Sequence, residues 1–192
     1  MALPSYPFER ERYWFPSRTT RAARDGSAHP LLGRRLRSAV LHDVVFEQTL
    51  SADDPAFVGD HLVHGVVVLP GTAYIEMALA ASRAITGRPS SVRDLTIRQP
   101  MVFSEDRSRT VQVVLSPEGE GHRLRVFSHE DESESWQLHA EALLGVSGSV
   151  AEPEPLPAVR RRCAEGRDGA SFYARLAELG LPFGERLQGV VD

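Results

Sequence analysis

The chain has 192 residues, of which 42% are hydrophobic and 25% are charged, and its formal net charge at pH 7 is -4. This composition is typical of a globular protein with a core, and the weak negative charge gives no general attraction for nucleic acid or for anionic membranes. No apolar run approaches the roughly 20 residues that cross a bilayer, and the single cysteine, Cys163, excludes an internal disulfide and favours a cytoplasmic location.

The first 28 residues have the composition of a connector. Pro4, Pro7 and Pro16 interrupt any helix, and the second half of this stretch is small and polar. Aromatic side chains cluster within residues 6–15, which favours an anchor that packs onto a neighbouring domain. We therefore predict that residues 1–28 form a linker.

Residues 29–150 carry the patterns of one α+β unit. Apolar residues recur every three or four positions over residues 72–85, which predicts a helix after the break at Pro70 and Gly71. The run over residues 61–69 is apolar on both faces, as expected of a strand covered on both sides. Further strands are predicted at residues 44–50, 92–97, 110–115, 123–129 and 136–146. One long helix among antiparallel strands predicts a hot-dog fold, a sheet wrapped around a helix, with a generic α+β sandwich as the alternative.

The rest of the chain reads as a second linker followed by a new element. Prolines and charged residues over 151–168 predict a linker, and residues 169–179 have the apolar spacing of an amphipathic helix. Residues 180–191 look strand-like. We interpret residues 169–192 as the start of a second core, which another hot-dog or another copy of the chain would complete.

The motif with most chemical content covers the predicted strand over residues 61–69 and the break that follows it. His61, Gly65 and Pro70 have the spacing H-x-x-x-G-x-x-x-x-P, which resembles the signature of polyketide synthase dehydratases. The flanks agree, because residues 29–33 resemble the HPLLG opening of these domains. Residues 3–8 resemble the linker that follows an acyltransferase domain.

The resemblance implies a fold, an activity and partners. It implies the first half of a double hot-dog in a modular polyketide synthase, where the domain eliminates water from a β-hydroxyacyl-carrier-protein thioester to give an α,β-unsaturated chain. The substrate would be carried on the phosphopantetheine of an acyl carrier protein, with no intrinsic cofactor and no metal. The expected partners are that carrier protein, the other synthase domains and a second hot-dog, without nucleic acid or membrane.

Dehydration requires a base for the α-proton, an acid for the leaving hydroxyl and donors for the thioester oxygen. An imidazole suits the first task, and the resemblance assigns it to His61. By the same resemblance Gly65, Pro70 and Gly71 bind the substrate, and the Gly71 N–H holds the thioester oxygen. We expect His64 to point to the opposite face of the strand and Tyr74 to pack in the core.

The resemblance is incomplete towards the end of the chain. A family motif, G-Y-x-Y-G-P-x-F, falls on residues 180–187, where Leu181 and Phe183 replace the tyrosines and Glu185 replaces the proline. The family's second catalytic residue, an aspartate of the second hot-dog, has no match here. These departures leave open a non-dehydrating docking module, or a cyclase or double-bond isomerase on the same scaffold. A single-hot-dog thioesterase fits the flanking linker less well.

Overall fold

A computed structural model describes residues 29–88, 90–104, 107–130, 135–146, 153–163 and 166–190. The predicted linker over residues 1–28 therefore lies outside the described residues. The strands are β1 (Arg34–Leu36), β2 (Val44–Leu50), β3 (Leu62–Val63), β4 (Val66–Val68), β5 (Ser90–Ile97), β6 (Val102–Phe103), β7 (Arg109–Glu118), β8 (Gly121–His129) and β9 (Gln137–Val146). The helices are α1 (Gly71–Thr86), α2 (Leu156–Arg162) and α3 (Gly169–Glu178), and a 3₁₀ turn covers Glu185–Leu187.

Six of the strands form one antiparallel sheet in the order β1-β2-β7-β8-β9-β5, and β3, β4 and β6 form a small second sheet. Side chains on the large sheet alternate between core and solvent because successive residues of a strand point to opposite faces. On β7 the buried set is Val111, Val113 and Leu115, and on β8 it includes Leu124 and Val126. Val113 pairs with Val126 and Leu115 with Leu124, so one apolar face is continuous across both strands.

Helix α1 lies against that apolar face. Its buried side chains include Tyr74, Met77, Ala78 and Ala81, at the spacing that keeps them on one side of a helix. The helix ends at Gly87, whose φ of 66° places it in the left-handed region, and the Gly87 N–H donates to the carbonyl of residue 83. The predicted helix over residues 72–85 and the predicted hot-dog fold are thus confirmed.

One predicted strand is wrong. Residues 61–69 form a tight hairpin of β3 and β4, in which Leu62 pairs with Val67. His64 and Gly65 make the turn, with φ angles of 49° and 79°, as two-residue hairpin turns require. The apolar pattern did not indicate this turn. Both arms of the hairpin are apolar, and only a histidine and a glycine separate them. Val66 is 43% exposed, so the segment is also not covered on both sides.

Several smaller elements were not predicted from the sequence. The short strands β1 and β6 were not predicted, and α2 lies within the predicted linker of residues 151–168. Helix α3 confirms the predicted helix over residues 169–179. The strand-like interpretation of residues 180–191 is wrong for the described part, which is irregular apart from the 3₁₀ turn. This segment bonds to the β3–β4 hairpin and to the loop before it, so its backbone groups are satisfied outside any sheet.

The stretch that resembles HPLLG has a structural role. Leu31 and Leu32 are buried in the core, and the Gly33 N–H donates to the His29 carbonyl at 2.9 Å. Gly33 has a φ of 67°, and a Cβ there would lie 2.1 Å from the carbonyl oxygen of Glu47, so only glycine fits. The His29 imidazole contacts Glu76 of α1 at 3.0 Å, a partner that sequence spacing did not indicate.

A buried polar cluster lies on β8 and β9. Ser128 and His139 are 0% and 1% exposed, and the Ser128 Oγ lies 2.8 Å from the His139 Nε2. The His139 Nδ1 faces the carbonyl of Gln99 at 3.3 Å, and Arg109 donates to the Ser128 hydroxyl at 3.1 Å. Because a carbonyl only accepts, the His139 proton sits on Nδ1 and Ser128 donates to Nε2. Burial, together with the Arg109 charge, lowers the pKa of His139 below its ordinary value.

This cluster predicts a pH-dependent stability. The unfolded chain binds a proton at His139 near the ordinary pKa of 6.5, whereas the folded chain does so only at lower pH. The free energy of unfolding should therefore fall as the pH drops below 6.5. The fall should end once the pH is below the pKa of His139 in the folded chain. Urea unfolding over a pH series measures this, and His139→Gln, which keeps a polar side chain but does not titrate, should show a shallower slope. Equal slopes for both proteins would contradict the prediction.

Candidate active site

His61 lies where the chain enters the β3–β4 hairpin, and its ring is half-buried. Its backbone N–H donates to the carbonyl of Val58 at 3.1 Å, and its own carbonyl accepts from the Val68 N–H at 3.1 Å. These two bonds hold the residue between the preceding loop and the last residue of β4. The backbone position of His61 is therefore determined by the preceding loop and by β4.

The imidazole of His61 has a defined tautomer. Its Nδ1 lies 2.7 Å from the carbonyl oxygen of Val68, which can only accept, so the neutral ring carries its proton on Nδ1. The Nε2 lone pair is then available, and no hydrogen bond to Nε2 is found among the described residues. An imidazole held in this way can accept a proton at Nε2.

The amino end of α1 follows immediately after this contact. Val68, which accepts from the imidazole, is three positions before Gly71, the first residue of the helix. Pro70 is buried and caps the helix with its carbonyl, which accepts from the Ala73 N–H at 2.9 Å. Within the described part of the chain the Gly71 N–H has no acceptor, and the first turn contains no acidic side chain. This end therefore offers a free donor and a positive dipole.

Gly71 and Gly65 differ in whether the local backbone requires a glycine. A Cβ on Gly71 would meet only Ile97, at the ordinary distance of 3.5 Å, so local packing does not demand a glycine there. Gly65 needs its positive φ for the hairpin turn, and nothing lies within 4 Å of a Cβ there. The structure thus brings His61, Pro70 and Gly71 together and places Gly65 at the tip of the hairpin, away from the Val68 end.

Residues 180–188, which we name the closing segment, lie against this site. The Phe183 ring stacks on the His61 imidazole, with ring centroids 5.1 Å apart and planes inclined by 23°. The Gly184 N–H donates to the Asp60 carbonyl at 2.8 Å, and the His64 N–H donates to the Gly180 carbonyl at 2.6 Å. The Phe183 ring, one of the departures from the family motif, is therefore in direct contact with the candidate base.

Asp60 binds the closing segment with its side chain as well. Its Oδ2 accepts from the backbone N–H of Arg186 at 2.9 Å and lies 3.3 Å from the guanidinium Nη1 of the same residue. The Asp60 side chain is only 18% exposed, whereas Arg186 is 59% exposed. Sequence reasoning did not identify Asp60 as a site residue, because its partners lie about 125 positions away in the chain.

The prediction that His64 points to the opposite face of a strand was wrong. His64 lies in the hairpin turn and does not alternate along a strand, so the opposite-face argument does not apply. Its ring packs on Gly180, where a Cβ would lie 2.2 Å from the His64 Nδ1. Tyr74 is buried in the core as predicted, and burial raises its pKa to about 12. Tyr74 therefore stays protonated at neutral pH and cannot serve as a base.

Metal sites and membrane-spanning helices are absent from the described ranges. No group of three or more His, Cys, Asp or Glu side chains there is arranged to hold a metal ion. No helix among these residues is long and apolar enough to cross a membrane. The described site places the His61 imidazole beside the amino end of α1.

Comparison with known proteins identifies the family. The family model for the polyketide synthase dehydratase domain matches residues 29–129, which include the hairpin with His61 and the whole of α1. The chain belongs to the polyketide synthase dehydratase family. The residues 29–33 and the spacing of His61, Gly65 and Pro70, which carried the resemblance in the sequence, all lie within the matched region.

Relatives of this dehydratase-family chain are long multidomain synthases. It is 35% identical over 202 residues to the spectinabilin polyketide synthase system protein NorA' of Streptomyces orinoci. It is also 35% identical over 206 residues to the polyketide synthase ThaG of Burkholderia thailandensis. Each alignment covers 98% of this chain but only 5% and 4% of those proteins, so the chain corresponds to a small part of each.

Solved dehydratase domains share the fold. The dehydratase domain from the CurK module of curacin polyketide synthase matches with a TM-score of 0.76 and 30% identity. The domain from the CurF module matches with a TM-score of 0.76 and 27% identity. The alignments cover 84% of this chain and 59% and 60% of those domains, so the chain spans less than two thirds of a solved dehydratase domain.

Proposed function

We propose that this chain provides the base of a dehydratase domain that removes water from a β-hydroxyacyl thioester carried on the phosphopantetheine of an acyl carrier protein. The observation that carries the proposal is the 2.7 Å contact between the His61 Nδ1 and the Val68 carbonyl, which in the neutral ring leaves the Nε2 lone pair to act as a base. Membership of the dehydratase family supports the reaction class.

In the proposed reaction Nε2 of His61 takes the α-proton of the acyl chain. The electron pair of the broken C–H bond forms the α,β double bond, and the β-hydroxyl leaves as water after it receives a proton. Negative charge that develops on the thioester oxygen is stabilised by the Gly71 N–H at the positive end of α1. Pro70 holds that end in place, and Gly65 keeps the hairpin tip free of side-chain bulk.

The proton donor for the hydroxyl is proposed to come from a second hot-dog. The acidic residue beside His61 is Asp60, but its carboxylate is already occupied by the backbone N–H and the guanidinium of Arg186. Phe183, which lies against the imidazole, has no hydroxyl to donate. An aspartate of a second hot-dog, as the family resemblance implies, would supply the missing acid.

The proposed partner surface is the apolar side of the carboxyl-terminal region. Phe172, Leu179 and Val190 are 37%, 52% and 48% exposed. Contact with a second hot-dog, or with another copy of the chain, would remove these side chains from water. We accordingly propose residues 29–150 as the first hot-dog, 151–168 as a linker and 169–192 as the start of the second, within a cytoplasmic synthase.

The proposed reaction can be tested on an intact protein that contains this chain. Incubated with a β-hydroxyacyl carrier protein, it should yield a carrier-bound product that is lighter by one water in mass spectrometry. A product of unchanged mass with every hydroxyacyl substrate would contradict dehydration. If the same protein then moved the double bond of an unsaturated substrate, or closed a ring on it without change of mass, an isomerase or a cyclase would replace the proposal.

A further inference from the structure

The closing segment is attached to the active site through the residues around the base. Its described bonds to the hairpin region join Gly180 to His64 and join Gly184 and Arg186 to Asp60. Asp60 contributes two acceptors, its backbone carbonyl and its carboxylate, and it directly precedes His61. A single residue next to the base therefore binds the closing segment at two points.

Phe183 lies between these attachment points. Gly180 and Gly184 flank it in sequence, and both approach the hairpin region closely: a Cβ on Gly184 would lie 2.4 Å from the Asp60 carboxylate. The two attachments therefore hold the backbone on either side of Phe183 close to the hairpin region. Within the segment, the Gln188 side chain donates to the Phe183 carbonyl at 2.7 Å, which restrains the backbone of Phe183 further.

The His61 ring is held by two different contacts. The bond from Nδ1 to the Val68 carbonyl restrains one edge of the ring, and stacking with Phe183 restrains one face. A ring held only at the edge can still tilt about that bond. A base that is misoriented loses rate because the proton must be taken along a narrow range of directions.

We infer that Asp60 is a positioning residue: through its bonds to Gly184 and Arg186 it holds Phe183 against His61 and so sets the plane of the base. The inference rests on the proposed function for its kinetic consequence, but the positioning itself is a property of this chain. The ion pair with Arg186 also compensates the largely buried Asp60 charge beside the imidazole.

Nuclear magnetic resonance of the whole chain tests the positioning without reference to activity. The Phe183 ring current shifts the ring protons of His61, and Phe183→Leu measures the size of that shift. Asp60→Asn removes the charge that pairs with Arg186 but keeps the backbone carbonyl that binds Gly184, so it should reduce this shift. Glu185→Gln, which neutralises an exposed carboxylate of the same segment, should leave the shift intact. An unchanged shift in Asp60→Asn would overturn the inference, whatever the enzyme does.

A second pair of variants separates positioning from a loss of folding. Arg186→Gln removes the ion pair at its exposed end and should weaken the shift, while Arg186→Lys keeps the charge and should restore part of it. The amide spectrum of the remaining residues reports whether each variant is folded. If Asp60→Asn does not fold, the Arg186 pair decides the question, and equal shifts in both Arg186 variants would overturn the inference.

The kinetic consequence is measured in an intact protein that contains the chain. Asp60→Asn should lower kcat by about 10-fold to 100-fold with little change in KM, because orientation of the base affects the chemical step more than binding. A raised KM at constant kcat would overturn the positioning role. If the intact protein dehydrates nothing, the proposed function fails, and the magnetic resonance result still decides the positioning.

Discussion

Replacing His61 by alanine in an intact protein that contains this chain is expected to lower the rate of dehydration by ~10²–10⁴-fold. The α-proton of a thioester is weakly acidic, and the imidazole held by Val68 is the described group placed to remove it. The measurement is the initial rate at which the carrier-bound β-hydroxyacyl chain becomes lighter by one water. Binding of the carrier protein should be little affected, because the imidazole acts on the reacting carbon.

The matched control for this variant is His42→Ala. His42 is an exposed histidine in the loop before β2, and no contact of its side chain to the active site is found among the described residues. The His42→Ala protein should dehydrate at the parental rate. Dehydration at the parental rate by the His61→Ala protein would show that another group is the base, and the proposed mechanism would then be wrong.

Replacing Met77 by alanine is expected to lower the free energy of unfolding by about 2–5 kcal/mol. Met77 is 0% exposed and lies at the centre of the face that α1 presents to the large sheet. Its removal leaves a cavity that the packed strands can fill only in part, in addition to the lost burial of the side chain. Urea unfolding of the chain measures the change as a lower midpoint at unchanged slope.

A second aliphatic residue on the same helix serves as the control. Ile75 is 40% exposed, so Ile75→Ala should change the free energy of unfolding by only about 0.5 kcal/mol. Comparable losses in the two variants would mean that α1 is not held chiefly by its buried face. The hot-dog core would then depend on contacts other than those between helix and sheet.

The hairpin at the active site shows where sequence patterns mislead. Residues 61–69 have the apolar character of a buried strand, and they contain the motif from which His61 is proposed as the base. The same residues nevertheless fold back at His64 and Gly65. A pattern of apolar residues reports burial and spacing, but a two-residue turn leaves no gap in that pattern when the turn residues are a histidine and a glycine.

The closing segment is a second part of the structure that sequence patterns do not predict. Leu181, Phe183 and Glu185 are departures from a family motif, but nothing in their pattern predicts that Phe183 stacks on His61. The segment was expected to begin a strand. Its structure is decided by bonds to Asp60 and His64, which belong to a distant part of the chain. Local propensity cannot report such contacts.

The sequence by itself determined the central helix, the alternating strands of the large sheet and the position of the candidate base. These features follow from periodic spacing or from a short motif, and both are properties of neighbouring residues. The tertiary structure alone decided the tautomer of His61, the attachment of Asp60 to Arg186 and the contact with Phe183. Each of these depends on groups that meet only when the hairpin closes and the closing segment folds over it, since hydrogen bonds and ring contacts act over a few ångströms in space.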